Sequence, residues 1–202
     1  LFMAWGGALA YTFQLYFDFS GYSDMAIGIA RMFGIILPLN FYSPYKAANI
    51  SEFWRRWHIT LSQFLRDYVY ISLGGNRNGN IKRYSNLFIT MLLGGLWHGA
   101  GWNFVIWGAL HGSYLMINLR WQAMKLNYSL FTIESKIYIF TAWLITFIAV
   151  VVGWVFFRSV TLDGALIILK GMFGFNGVEI PNALLARSGS LGDILQSWGV
   201  RP

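Results

Sequence analysis

Between Tyr84 and Leu119 the chain runs 36 residues without a single Asp, Glu, Lys or Arg. At about 1.5 Å of rise per residue, a helix of that length exceeds one crossing of a ~30 Å hydrocarbon layer and slightly undershoots two. The tract Gly99-Ala100-Gly101 at its middle is the natural hinge. Two forms stay open: one broken, steeply tilted crossing, or a helical hairpin of two short arms returning to the same side. Neither suits a water-soluble domain, and the composition agrees. Hydrophobic residues make up 56% and charged residues only 11%, against roughly 25% charged in ordinary soluble domains. Mean hydropathy is +0.50.

Further spans follow from the same reasoning. Ile137–Phe157 is 21 uncharged residues between Lys136 and Arg158, which predicts a transmembrane helix. The uncharged block from Leu1 to Phe17 meets Asp18 and then resumes, so a span over about 4–33 is expected, tilted or broken near Gly21 and ended by Gly34 and Pro38. Asn49 with Glu52 three residues on is a capping-box signal. It opens a predicted amphipathic helix over 50–71, at the interface or lining a cavity. Along it Phe53, Trp57, Leu61, Phe64 and Tyr68 oppose a polar stripe of Arg55, His58, Ser62 and Arg66. Gly74–Lys82 reads as a hydrophilic turn region, Leu162–Met172 as a short amphipathic helix, and 173–202 as loop with one helix near 191–198. The expected class is all-α, a polytopic transmembrane helical protein forming a single membrane domain over 1–202. With no initiator Met at Leu1 and no closing element before Pro202, the chain reads as an internal fragment of a longer protein.

The net charge of +7 fits loops facing the cytoplasm and anionic headgroups, with the lipid bilayer and not nucleic acid as partner. Cysteine is absent, which removes thiol nucleophiles, disulfides, thiolate zinc sites and iron–sulfur clusters. Only three histidines occur, all in or beside apolar segments. Their spacings match no local ligand pattern, so no metal site is expected. An ionisable group at membrane depth is costly and is a functional candidate by default, weighed against a neutral packing histidine.

His98 has the most suggestive setting, Gly94-Gly95-Leu96-Trp97-His98-Gly99-Ala100-Gly101-Trp102. Glycines let a substrate, or merely a second helix, approach closely. A neutral imidazole there suits removal of a proton from a hydroxyl nucleophile, as acyl transfer from a thioester requires. His58, with Arg55 and Arg66 on its stripe, reads as a second polar group beside cations placed for donor phosphates or anionic lipid, or as a solvated face. His111 shares a face with Trp107 and Asn103, where a structural hydrogen bond is the favoured role. In Asp18-Phe19-Ser20-Gly21-Tyr22-Ser23-Asp24, Asp18 stabilises a helix break or shapes a tunnel, and Asp24 is seven residues from Arg31 on one face.

Four ordered motifs resemble the membrane-bound O-acyltransferase family. They are Tyr16-Phe17-Asp18-Phe19-Ser20-Gly21-Tyr22-Ser23-Asp24, Asn40-Phe41-Tyr42-Ser43-Pro44-Tyr45, Phe53-Trp54-Arg55-Arg56-Trp57-His58-Ile59-Thr60-Leu61-Ser62 and Leu96-Trp97-His98-Gly99-Ala100. The likeness is strongest to the bacterial branch of alginate O-acetylation and runs to about Phe173. It implies helices around a central tunnel in a multi-pass protein of the bacterial cytoplasmic membrane. It also implies transfer of an acyl, here acetyl, group from a thioester to hydroxyls of an exported or cell-surface polysaccharide. The family's near-invariant histidine falls on His98 and its second polar position on His58. The implied donor is an acyl-CoA or acyl-carrier thioester, with no tightly bound cofactor, and its phosphates fall to Arg55 and Arg66. Asp18, Tyr22, Trp97, Asn103 and His111 are the expected tunnel residues, and extracytoplasmic acetyltransferase proteins the expected partners. The competing class is a non-enzymatic membrane transporter or a scaffold subunit of a polysaccharide-modification complex.

Overall fold

A computed structural model of the chain describes residues 1–128 and 136–177. Among them all regular structure is helical, as the sequence predicts; the helix expected near 191–198 lies outside the described residues. Helix α1, Phe2–Met32, runs unbroken through Gly21 for 31 residues, roughly 46 Å. The break expected there is absent, because a lone glycine costs a helix only about 1 kcal/mol and the hydrogen-bond ladder carries on through it. Asp18, Tyr22 and Asp24 point outward and exposed. Among the described residues no ion pair joins Asp24 to Arg31.

Helix α2, Ile50–Arg56, starts where the capping signal predicts: the Asn49 side chain accepts from Glu52 N at 2.9 Å. The Glu52 carboxylate reaches back one residue further than the usual box, to Ala48 N at 2.9 Å. The single helix expected over 50–71 is not formed. Trp57 is extended, His58 takes a left-handed conformation with φ 43°, and the chain restarts as α3, Ile59–Phe64, which passes into a π-helical stretch, Leu65–Tyr70. The break is held from outside. Asn40 O accepts from Ile59 N at 2.9 Å and Arg56 O accepts from Tyr42 N at 2.9 Å, so the 40–42 strand of chain takes over backbone partners that a continuous helix would supply.

The charge-free block is a hairpin. Helices α4, Gly79–Trp97, and α5, Trp102–Tyr128, are 19 and 27 residues long, so the arms are full-length helices and not short ones. Helix α4 begins inside the predicted 74–82 turn region. Glycines set the antiparallel contact: a Cβ on Gly95 would strike Phe104 O, one on Gly108 would lie 2.5 Å from Met91 O, and one on Gly112 3.0 Å from Phe88. Gly108→Ala should therefore force the helices apart and cost about 1–3 kcal/mol, read as a lowered melting temperature of the full-length protein. Gly28→Ala, whose Cβ meets no atom within 4 Å, should be neutral or stabilising by up to about 1 kcal/mol.

Helix α6, Lys136–Arg158, matches the predicted span; with a mean hydropathy of 2.4 it alone among the described helices is long and apolar enough to cross a membrane. It packs against α1, α5 and the last helix, α7, Leu162–Met172, and buries Val150, Val151 and Trp154. Thr161 caps α7, accepting from Gly164 N at 3.1 Å. Outward faces of α1 (Phe13, Phe17, Met25, Ile29) and α6 (Ile137, Phe140, Ile145) are exposed and apolar, more than a soluble monomer ordinarily shows water.

Candidate active site

The kink between α2 and α3 decides where His58 goes. In a continuous helix His58, Ser62 and Arg66 would share a stripe. The left-handed turn instead swings the ring inward, edge-on to Phe19 with centroids 4.9 Å apart. Asn40 fixes it there. The Asn40 side-chain oxygen accepts from Thr60 N at 3.3 Å and Thr60 Oγ1 at 3.0 Å, and lies 3.2 Å from His58 Nδ1. That oxygen can only accept, so the network assigns the proton of a neutral His58 to Nδ1 and leaves Nε2 as an acceptor. Burial pushes the imidazole down to about 4, and neighbouring His98 adds to the shift. His58 is therefore neutral at pH 7.

His98 ends α4, with its N–H bonded to Gly95 O at 3.0 Å. Gly99 follows at φ 153°, and a Cβ there would lie 2.8 Å from the Phe104 ring. This glycine is required for the tight turn into α5. The His98 ring is half-buried, set edge-on to Trp107 at 5.3 Å and Phe157 at 4.9 Å. Among the described residues neither ring nitrogen is hydrogen-bonded, so both remain for a ligand.

The two histidines share one cavity of about 300 Å³. Its other walls are Leu15 and Phe19 from α1, Trp54, Trp57 and Leu61 from the kinked segment, Trp97 and Trp107 from the hairpin, and Trp154 and Phe157 from α6. Residues 40 positions apart in sequence thus meet in an almost wholly apolar chamber in which they are the titratable groups. Such a chamber strengthens each hydrogen bond made inside it and keeps water from competing with another nucleophile.

A second, larger cavity of about 460 Å³ holds the cations. Arg55, Ser62 and Arg66 from the kinked segment and Arg83 from α4 line it, with Ser51, Gln63 and Thr90. The arginines are thus brought together as the sequence suggests, but in a different chamber from His58. Arg66 is already paired: its guanidinium donates to the Asp67 carboxylate at 2.7 and 3.1 Å. Among the described residues no group of three His, Cys, Asp or Glu is placed to hold a metal ion.

Of the residues expected along a tunnel, Trp97 lines the histidine cavity. Asp18 and Tyr22 face outward from α1. Asn103 is buried and donates to Ser159 O, joining the start of α5 to the end of α6. His111 is fully buried behind that cavity, between Phe53, Trp54, Trp107 and Trp154. The hydrogen bond expected of it is not made among the described residues; it packs by its ring faces, and α6 makes room with Gly153, where a Cβ would lie 2.8 Å from Nε2. Sequence reasoning did not single out Asn40, Trp54 or Arg83. Asn40 and Trp54 lie inside quoted motifs, but nothing local marks one as an anchor or the other as a wall.

Residues 1–162 match the model of the membrane-bound O-acyltransferase family. A peptidoglycan O-acetyltransferase of Helicobacter pylori is 55% identical over 177 residues, 88% of this chain and 33% of that protein. A probable alginate O-acetylase of Azotobacter vinelandii is 55% identical over 188 residues, 93% of this chain and 36% of its own length. A teichoic acid D-alanyltransferase of Bacillus subtilis is 38% identical over 108 residues, 50% of this chain and 27% of that protein. The chain spans about a third of the length of the curated relatives it matches.

Proposed function

The chain belongs to the membrane-bound O-acyltransferase family, and from that premise we propose that the whole protein transfers an acetyl group from a thioester donor to hydroxyls of an exported or cell-surface polysaccharide. The observation that carries the reading is the pairing of His58 and His98 across one apolar cavity. His98 takes the proton of the acceptor hydroxyl as its oxygen attacks the thioester carbonyl carbon. The C–S bond then breaks, and the same imidazolium returns the proton to the departing sulfur, so the products are an O-acetyl ester and a free thiol. This chain supplies no cysteine to carry the acyl group, and the step proposed is direct transfer from the thioester to the hydroxyl.

The Nδ1–H tautomer narrows the role of His58. Its free Nε2 accepts a hydrogen bond, so it orients a hydroxyl of the acceptor and does not polarise the donor carbonyl. Arg55 takes the phosphate end of an acyl-CoA or acyl-carrier thioester, and Arg66, on the same wall, joins it by exchanging its Asp67 partner for the phosphate. The described helices form part of a single, multi-pass membrane domain of a longer protein in the bacterial cytoplasmic membrane, with a tunnel leading to the histidine chamber. The exposed apolar faces of α1 and α6 support that placement. Acetyltransferase proteins outside the membrane complete the modification. A proton path through Asp18 and Asp24 is not supported, because neither lines the chamber of the histidines. The test is acetyl transfer and thiol release by the purified full-length protein, wild type against His98→Ala.

His58→Asn separates orientation from proton transfer. Asparagine tolerates the left-handed backbone that His58 adopts, so the kink should survive. With the wild-type imidazole at about 4, roughly one molecule in a thousand carries a proton on His58 at pH 7. The variant should lose about tenfold in kcat while the pH–rate profile keeps its shape between pH 5.5 and 8. Disappearance of a titrating limb in that range would assign proton transfer to His58 instead.

A further inference from the structure

Three aromatic rings from three helices close on His98. The centroid of its imidazole lies 4.9 Å from Trp97 of α4, 5.3 Å from Trp107 of α5 and 4.9 Å from Phe157 of α6. Their planes stand at 71°, 89° and 80° to the imidazole, the edge-to-face arrangement. The rings are fixed in advance of any reaction. Phe157 is wedged against Phe104, Trp107 and Trp154 at 5.2, 5.3 and 5.5 Å, and Trp107 stacks on Trp154 at 5.9 Å.

A histidine that takes a proton from a hydroxyl becomes an imidazolium, and a positive charge in an apolar chamber is costly unless something meets it. In serine–histidine sites a buried carboxylate behind the imidazole does so. Among the described residues no carboxylate is placed for that. Asp18, Asp24, Asp67 and Asp163 are exposed, Glu52 is held by Arg56 and Ala48 N, and none of the five lines the chamber. The ionisable groups nearest the cage bring no negative charge either. His58 faces Asn40 at 3.2 Å across the chamber, His111 lies behind Trp107, and Arg158 is exposed over the Tyr11 ring. What remains is the rings themselves. An aromatic face carries partial negative charge and attracts a cation within about 6 Å of its centroid, a distance that Trp97, Trp107 and Phe157 all meet.

We propose that Trp97, Trp107 and Phe157 form a cation–π cage that stabilises the imidazolium of His98 during acyl transfer, in the place where other sites use a carboxylate. The proposal rests on the acyl-transfer reading above. As the acceptor oxygen attacks, its proton passes to His98, the ring becomes positive, and negative charge grows on the thioester carbonyl oxygen. When the C–S bond breaks, the proton leaves for the sulfur and the ring is neutral again. The three faces attract the charged imidazole far more than the neutral one, so they act on the chemical step and not on the binding of the donor. They act through His98, as residues that tune the base.

The test uses the full-length protein in lipid nanodiscs, with S-acetyl 4′-phosphopantetheine as donor and the cell's own exported polymer, stripped of its O-acetyl groups, as acceptor. Thiol release is followed over a single turnover at saturating enzyme, so that product release does not mask the chemical step. Phe157 is replaced by mono-, di- and trifluorinated phenylalanine, which drain charge from the ring face while nearly keeping its size. The rate should fall stepwise, by about tenfold in all across the series, while the enzyme concentration giving half the maximal rate stays the same. Phe157→Leu, which keeps apolar bulk and loses the face, should slow the step by about tenfold or more. The same fluorinated series at Phe147, which packs on Tyr45 and Trp143 at 5.8 Å each, should leave the rate unchanged. A purely structural role for Phe157 would give a flat fluorine series and a loss only in Phe157→Leu. A flat series, or a rate that rises with fluorine because ring edges and not faces meet the imidazole, overturns the cage while His98-dependent thiol release still supports acyl transfer. Thiol release equal in wild type and His98→Ala overturns the acyl-transfer reading and the cage with it.

Discussion

His98→Ala in the full-length protein should lower acetyl transfer by roughly a hundred- to ten-thousand-fold, the range over which a positioned general base acts. The physical case is one of isolation. The chamber walls are aromatic and aliphatic apart from the two histidines, and His58 keeps its Nδ1 proton engaged with Asn40 at 3.2 Å. His58 also offers a free Nε2, but burial holds that imidazole at about 4 and makes it the weaker base; apart from the two histidines no side chain on those walls can take a proton from a hydroxyl near neutral pH. The loss should appear in kcat, because the ring contributes little to holding the donor. Folding should survive, since His98 is half-buried and accepts no hydrogen bond that another group depends on, and truncation there costs on the order of 1 kcal/mol. A deletion strain complemented with the variant, scored by mapping O-acetyl groups on its exported polymer, gives the answer in the cell. Unchanged acetylation with the variant present in the membrane would sink the assignment.

What the sequence discloses and what it withholds follow a physical line. Elements whose causes are local read correctly: the Asn49 and Glu52 signal starts α2, Lys136 and Arg158 bracket α6, and α7 covers Leu162–Met172. The charge-free block shows its hinge but not its form. Only the facing glycines, Gly95 against Gly108, choose the hairpin, and their pairing spans a turn that spacing alone does not close. The 50–71 segment misleads because its periodicity is genuine on both sides of the kink; the groups that break it belong to residues 40–42. That nonlocal break also separates His58 from the arginines, sending one to the apolar chamber and the others to the cation cavity. The glycines around Trp97-His98 are legible as a turn, whereas the pairing of His98 with His58 arises only when α1, α6 and the kinked segment close around both.

Asn40 is where the kink and the chemistry meet, and removing its side chain should have the second-largest effect. One oxygen accepts from Thr60 N and Thr60 Oγ1 and faces His58 Nδ1, while the amide donates to Ser23 Oγ at 3.5 Å. Asn40→Ala leaves the Thr60 N–H without that acceptor in a part-buried site, at a cost of about 1–3 kcal/mol. It also releases the constraint that holds the His58 proton on Nδ1. The ring is then free to take the other tautomer and to leave the cavity, so acetyl transfer should fall about ten- to a hundred-fold. Asn40→Asp keeps the accepting oxygen and should recover most of the stability. Its carboxylate also favours the Nδ1–H tautomer and raises the basicity of His58, so the acidic limb of the pH–rate profile should move upward. The same stability loss without any fall in transfer, or a pH profile identical in wild type and Asn40→Asp, would reduce Asn40 to a structural clamp and detach His58 from the reaction.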